Sequence, residues 1–407
     1  MLTTSTVFRA ARTTRALQRS FSSSIVARVR RAVVYNANGN PAENLRVLSV
    51  PNTLDPPPPS TLNIRFLLSP INPSDINVIE GVYPAKPLPR NPSNLSQTDS
   101  NDSAERVFIG GNEGLAEVME VGEGVQGLKT GDWVVMVKQQ AGTWCSDTNV
   151  GEQDVVRIPK VDGRLPSEVD AATMTVNPPT AYNMLRDFVQ LKPGDWVVQN
   201  GANSAVGQAV IQIAAHRELK TLNLVRDRDD FAALEARLTS LGATRVLPYS
   251  LLDPTVDKAR AKETRTSLQS LFAGSPPRLA LNCVSGAPTT HMSSLLGSNA
   301  VLVSYGAMSK QPLSLPTSLF IFKDLTSKGF WQSRWYKTHS REERESLMQE
   351  LVTLIVNGKL REPENEVFTI GADQDDESST HALREKIQKI QGGRYGKKLL
   401  IKFDVKR

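Results

Sequence analysis

"DWVVQNGANSAVGQAVIQIAAHREL", running from Asp195 to Leu219, decides the fold. It opens as a short apolar run fit for a buried strand, passes through small residues, and then places Val206, Val210, Ile213 and Ala214 on one face at helical spacing. Strand, small-residue turn and helix in that order make a unit that can receive a dinucleotide. Small side chains let the backbone N–H groups of a helix N-terminus approach a pyrophosphate, and the aligned peptide dipoles favour its charge. Gly201, Ala202, Asn203, Ser204, Ala205 and Gly207 supply the turn. The strict G-x-G-x-x-G spacing is not met, and a tight βα turn with no ligand would use the same residues.

The sequence downstream repeats the alternation. "TLNLV" (221–225), "RLALNCVSG" (278–286) and "NAVLVSYGAM" (299–308) read as strands, and a helix is expected over 229–241. An earlier helical segment, "AYNMLRDFVQLKPG", ends at Pro193 and Gly194, while "REERESLMQELVTLIVNGKL" is helical through Leu347, Leu351, Leu354 and Ile355. Strands alternating with helices imply a parallel sheet covered on both faces. An NAD site usually places an acid roughly 20 residues beyond the glycines to take the ribose hydroxyl. Here "TLNLV" ends in Arg226-Asp227-Arg228, 25 positions after Gly201. Two guanidiniums suit a 2′-phosphate and favour NADPH, with a solvated charge pair at a strand end as the alternative.

Upstream the pattern is different. "RVRRAVVYNANG" starts as a strand, and "PNTLDPPPPSTLNIRFLLSP" is a proline-marked connection into another. Residues 107–139 alternate β-branched runs with glycines, Gly122, Gly124, Gly127 and Gly131 marking turns of an all-β barrel. Leu88 to Glu105 is polar and reads as a surface loop, "DQDDESS" (373–379) as an exposed acidic loop, and "YGKKLLIKFDV" as a strand returning to the first unit. The expected architecture is therefore α/β, a Rossmann-type nucleotide-binding domain (181–350) beside a mostly β catalytic domain built from 27–180 and 351–407.

With 407 residues, 39% of them hydrophobic, the chain is long enough for two cores and has no run resembling a membrane span. The formal charge of +6 is concentrated in "MLTTSTVFRAARTTRALQRSFSSS", which is free of acids; without residues 1–25 the excess falls to +2. That segment has the make-up of a mitochondrial presequence, a disordered basic tail being the alternative. The remaining balance and the 6% aromatic content argue against a nucleic-acid partner. Cys145 and Cys283 stand 138 positions apart and the four histidines, His216, His291, His339 and His381, are scattered, so no metal site is expected.

"NPSDINVIEGVYP", "GNEG" (111–114), "QNGANSAVGQAVIQIAA", "LVRDRD", "LGATRV", "SYGAMSKQP", "PTSLFIFKDLTSKGFWQSRW" and the final "YGKKL" are collinear motifs. Over roughly 27–407 they resemble the mitochondrial enoyl-[acyl-carrier-protein] reductases, or 2-enoyl thioester reductases, a zinc-free branch of the medium-chain dehydrogenase/reductase superfamily with a GroES-like catalytic domain. The polar insertion after "GVYPAKP" is similar to that of fungal members. The resemblance implies NADPH-dependent reduction of the C2=C3 bond of enoyl thioesters on acyl carrier protein or coenzyme A, in mitochondrial fatty acid synthesis, by a homodimer. It implies Tyr83 as proton donor, with cofactor contacts at Asn177, Asn203, Ser204, Ala205, Val206, Arg226, Asp227, Arg228, Tyr305, Gly306, Ala307, Met308, Phe330, Trp331, Gln332 and Lys397. Asn112 is a candidate for ordering the Tyr83 loop, and Phe330 and Trp331 for walling an acyl tunnel. A zinc-free NADPH quinone or enone reductase of the same fold is the alternative.

The basic, acid-free stretch gives way to the first strand between about Arg19 and Arg28, where import is expected to remove it. N-terminal sequencing of protein isolated from the organelle checks this: a new terminus in that window is expected, and an intact Met1 refutes it.

Overall fold

The structure is a computed structural model that describes residues 29–51, 53–98, 105–393 and 395–404. The expected presequence, 1–25, lies outside the described residues. Six strands form a wholly parallel sheet: Trp196–Asn200, Lys220–Val225, Arg245–Pro248, Leu279–Asn282, Val301–Ser304 and Thr326–Gly329. Their spatial order is third, second, first, fourth, fifth, sixth. This is the doubly wound order, and its reversal point lies between Trp196–Asn200 and Leu279–Asn282, where a crevice opens beyond the carboxyl ends of the strands.

The apolar runs in the sequence follow from burial on both faces. Val197, Leu279, Leu281 and Val303 pack with Val206, Val210, Ile213 and Ala214 of the Ala205–His216 helix, the face expected from the helical spacing. Val198, Leu222, Leu224, Ala280 and Leu302 face the other way, onto Leu268, Met292 and Leu295. Two strands went unread in the sequence. Arg245–Pro248 is short and ends in proline, and Thr326–Gly329, at the sheet's edge, is exposed at all four residues. An edge strand gains little from apolar side chains, so "TSKG" carries no hydrophobic signal.

The β unit contains a four-stranded sheet, in the order Arg46–Val50, Arg30–Tyr35, Val107–Ile109, Pro89–Arg90. A larger sheet runs Asn365–Ile370, Lys398–Phe403, Thr61–Pro70, Leu115–Val121, Trp133–Met136, Val155–Arg157, with Asp147–Gly151 also paired to Thr61–Pro70. Val34, Leu62, Ile64, Phe66, Ala116, Val118 and Val134 are buried between them. The last strand does return: Leu400 pairs with Pro70 and Ile401 with Ser69.

Three sequence expectations differ from the structure. The acidic stretch 373–379 is not a loop throughout: Asp375 caps the Asp376–Gln391 helix and accepts from the Ser378 N–H at 2.8 Å. Acids favour a helix N-terminus, and Asp376 also accepts from the buried Arg31 guanidinium at 2.9 Å. Within the polar stretch 88–98, Pro89–Arg90 pairs with Val107–Phe108 and Leu95 is buried, so this part is built into the sheet. The limit drawn at 350 falls inside the continuous Arg341–Val356 helix.

Candidate active site

Tyr83 is placed by a short helix and its two ends. Pro73–Ile79 has Pro73 in its first turn, where the missing N–H costs nothing, and Asp75 Oδ2 accepts from the Asn72 N–H at 2.7 Å. At the far end Asn38 Nδ2 donates to the carbonyls of Val78 (3.0 Å) and Ile79 (3.2 Å), and Gly81 takes φ +81°, a left-handed turn that releases the chain into Val82-Tyr83-Pro84. Opposite, the Thr326–Gly329 strand ends in Phe330 and Trp331 before the Gln332–Thr338 helix. The Trp331 Nε1–H donates to Tyr83 Oη at 2.8 Å, the rings lying edge to face at 6.2 Å. Burial raises the pKa of the half-buried Tyr83 phenol; the Trp331 hydrogen bond opposes this and the nearby Asp75 carboxyl adds to it.

The Gly-rich turn stands at the crevice. Ser204 Oγ accepts from the Gly207 N–H at 3.1 Å and caps the Ala205–His216 helix. A Cβ at Gly207 would lie 2.5 Å from the Ala202 carbonyl oxygen, and Gly201, at φ +60°, would press one to 2.4 Å from Cys283 Sγ. The turn therefore requires glycine at both positions. Beneath it, buried amides lace the carboxyl edge of the sheet: Asn200 Nδ2 donates to Asn282 Oδ1 at 2.9 Å and Asn282 Nδ2 to Ser304 Oγ at 2.9 Å.

A cavity of about 1210 Å³ runs between the two units. Of the sequence candidates, Tyr83, Asn177, Asn203, Ser204, Ala205, Val206, Arg228, Tyr305, Gly306, Ala307, Met308, Phe330, Trp331, Gln332 and Lys397 line it. Arg226 and Asp227 do not. Arg226 Nη2 donates to the Gly393 carbonyl at 3.0 Å, and Asp227 accepts from the Ser250 N–H at 3.2 Å and from its hydroxyl. Arg228 is exposed and pairs with Asp230. Phe330 stacks edge to face on Phe188 at 5.9 Å, so its ring is shared between cavity wall and core. Asn112 lines the cavity, but its Oδ1 accepts from the Gln140 N–H at 2.7 Å; it orders that turn and not the Tyr83 loop.

A buried polar cluster under the cavity went unread in the sequence. Asn72 Nδ2 donates to Glu113 Oε2 at 2.6 Å, while Asn72 Oδ1 accepts from Lys398 Nζ and, at 3.4 Å, from Asn177 Nδ2. Burial pushes the Glu113 carboxyl up to about 7 against the pull of the Lys398 ammonium, and the Asp75 carboxyl also up to about 7, against its bond to the Asn72 N–H. Burial likewise lowers the Lys398 ammonium. The only sequence signal was a glutamate between Asn112 and Gly114 in "GNEG" and a lysine at the start of a buried strand. Among the described residues no group of three or more His, Cys, Asp or Glu side chains is arranged to hold a metal ion, and no helix is long and apolar enough to cross a membrane.

Residues 58–176 match the alcohol dehydrogenase GroES-like domain family. The mitochondrial enoyl-[acyl-carrier-protein] reductase of Mus musculus is 44% identical over 338 residues, covering 82% of this chain and 80% of that protein. The solved Etr1p/NADP/crotonyl-CoA complex superposes with a TM-score of 0.80 at 31% identity, over 92% of this chain and 99% of its own. The mitochondrial 2-enoyl thioester reductase Etr1p/Etr2p heterodimer from Candida tropicalis gives 0.80 at 32% identity over the same shares. A Tyr83 hydroxyl facing Trp331 across a cleft, a glycine turn at the reversal point of a parallel sheet, and this likeness over four-fifths of the chain agree: the chain belongs to the mitochondrial enoyl-[acyl-carrier-protein] reductase family.

Proposed function

We propose that the chain reduces the C2=C3 double bond of trans-2-enoyl thioesters, carried on acyl carrier protein or coenzyme A, with NADPH in the mitochondrion. The observation that carries the mechanism is the hydrogen bond from Trp331 Nε1–H to Tyr83 Oη. An indole N–H only donates, so the phenol oxygen is the acceptor and its own proton stays free to be given to a substrate.

The residues suit the cofactor. The glycine turn lets the helix start pack directly on the Ala202 backbone, where a Cβ at Gly207 has no room, and the backbone N–H groups at the start of the Ala205–His216 helix are ready for the pyrophosphate. Asn203–Val206 and Tyr305–Met308 flank that position, Asn177 and Phe330–Gln332 line the same cavity as Tyr83, and Arg228 and Lys397 line it as cations for the 2′-phosphate. Arg226, off the wall and bonded to the Gly393 carbonyl, is the third cation, to be released to the phosphate, Asp227 fixing the loop between the two arginines through Ser250. When bound, NADPH supplies the hydride that C3 receives.

What the chain supplies is the proton. As C3 gains its hydrogen, the π pair moves toward C2 and the thioester oxygen, and C2 becomes basic. Tyr83 gives its proton to C2: the O–H bond breaks, the C2–H bond forms, and the phenolate keeps the electron pair under the Trp331 N–H until water returns a proton. Burial holds the phenol above its ordinary range, so the acid is loaded at neutral pH.

For assembly the proposal is a homodimer. Support comes from the Thr326–Gly329 edge strand, exposed along its length, and from the adjoining Thr317–Lys323 helix, where Ile321 and Phe322 are 66% and 80% exposed. An open edge beside apolar side chains is the surface a second copy would cover by symmetry.

Three outcomes are expected. Tyr83→Phe keeps the ring and loses the donor, so kcat for crotonyl thioester falls by about 10²–10⁴ while NADPH affinity survives; turnover within about twofold of wild type, with chemistry limiting, removes Tyr83 from the role. Replacing Arg226 and Arg228 with alanine removes charge-assisted bonds worth roughly 1.5–3 kcal/mol each for NADPH alone, so the NADPH-to-NADH ratio of kcat/KM falls at least about tenfold. Light scattering of the eluting protein gives twice the chain mass for wild type and the single chain mass for Ile321→Asp/Phe322→Asp.

A further inference from the structure

The cluster beneath the cavity joins four separate pieces of chain. Asn72 precedes the Pro73–Ile79 helix, Glu113 lies in the loop before Leu115–Val121, Asn177 opens the Asn177–Asp187 helix, and Lys398 opens the last strand. Asn72 and Glu113 are at most 2% exposed, Lys398 9%. Charges this deep are retained only where partners hold them.

The partners are arranged along one amide. The Asn72 oxygen faces the Lys398 ammonium and its nitrogen faces the Glu113 carboxylate. Turning the amide over would set N–H against N–H at one end and oxygen against oxygen at the other. Opposite charges therefore select one orientation, and the selected one presents Oδ1 to Asn177 Nδ2 at 3.4 Å. Asn177 is half-buried and lines the cavity, as do Asn72 and Lys398. Asp75 anchors the same asparagine from its backbone side, with Oδ2 on the Asn72 N–H and Oδ1 making no hydrogen bond.

We propose that Glu113 and Lys398 are positioning residues of the reductase: their opposed charges lock the Asn72 amide, and the locked amide fixes Asn177 at the cavity wall for the reacting end of the cofactor. This rests on the reading of the cavity as an NADPH and enoyl thioester site. Neither Glu113 nor Lys398 needs to touch the reactants. Lys397, one residue earlier, is exposed at the rim, so adjacent lysines serve a cofactor phosphate and the floor respectively. Lys397 ends the bend that leads into the strand and Lys398 is the strand's first residue, buried where its neighbour is exposed.

The test uses the full chain with NADPH and crotonyl thioester, comparing wild type, Lys398→Met, Lys398→Arg, Glu113→Gln and the double variant Glu113→Gln/Lys398→Met. In the single charge-removing variants kcat should fall by up to about 100-fold, the scale on which small misplacements act. NADPH affinity, read by nucleotide fluorescence, should stay within about threefold because the phosphate contacts carry it. Lys398→Arg should recover most of the lost rate. The double variant is decisive. With neither member of the Glu113–Lys398 pair left without the other, its Tm should return toward wild type, while kcat stays low because nothing orients the amide. Wild-type kcat in the folded double variant, or kcat that tracks Tm through the whole series, overturns the positioning role. Failure of the wild type to reduce the thioester overturns the reading of the site itself, a result visible before any variant is made.

Discussion

One continuous apolar cluster holds the two sheets in register with each other. Leu68, Leu115, Val135 and Val156 from the β unit, Val197, Leu281 and Val303 from the parallel sheet, and Leu347, Leu351 and Val352 from the Arg341–Val356 helix are buried together. A cleft between two units is a defined site only if the units do not slide. Core packing is dense and resists displacement, so this shared cluster sets the spacing across which Tyr83 and Trp331 meet. The helix Asn177–Asp187 belongs to the same cluster through Ala181, Met184 and Leu185, and its first residue is the one that reaches Asn72.

Legibility in the sequence followed burial and locality. "DWVVQN" and "LALN" could be read because both faces of a central strand must be apolar, whereas "TSKG" could not, because an edge strand answers to no such demand. The glycine turn was visible for a local reason: strand, turn and helix N-terminus are contiguous. The acidic stretch at 373–379 misled because a run of carboxylates looks solvated, while its actual partners, Arg31 and Ser49, lie more than 320 positions away. The Asn72 cluster was invisible on the same grounds, Lys398 meeting Asn72 across 326 positions. Tyr83 was found through resemblance, and Trp331 was placed on the cofactor wall without any sign that its N–H would reach the phenol, 248 positions away.

The site divides its labour between backbone and side chains. Peptide N–H groups and glycines receive the phosphates, and their geometry is set by the sheet and helix alone. The reducing end depends on side chains from loops of both units, each pinned by a neighbour: Tyr83 by Trp331, Asn177 by Asn72, Asn112 by the Gln140 turn. A family that changes substrates while keeping its cofactor would vary the second set and leave the first.

The antiparallel pairing of Lys398–Phe403 with Thr61–Pro70 has a consequence for how the chain assembles. Leu400 meets Pro70, 330 positions earlier, so the larger β sheet cannot be completed until Lys398–Phe403 is present. The parallel sheet, by contrast, closes within 196–329 and needs nothing from either end. Long-range strand pairing is slow and leaves edges open while it waits. The parallel sheet is therefore the one whose strand pairing can be completed first, while the larger β sheet waits for Lys398–Phe403.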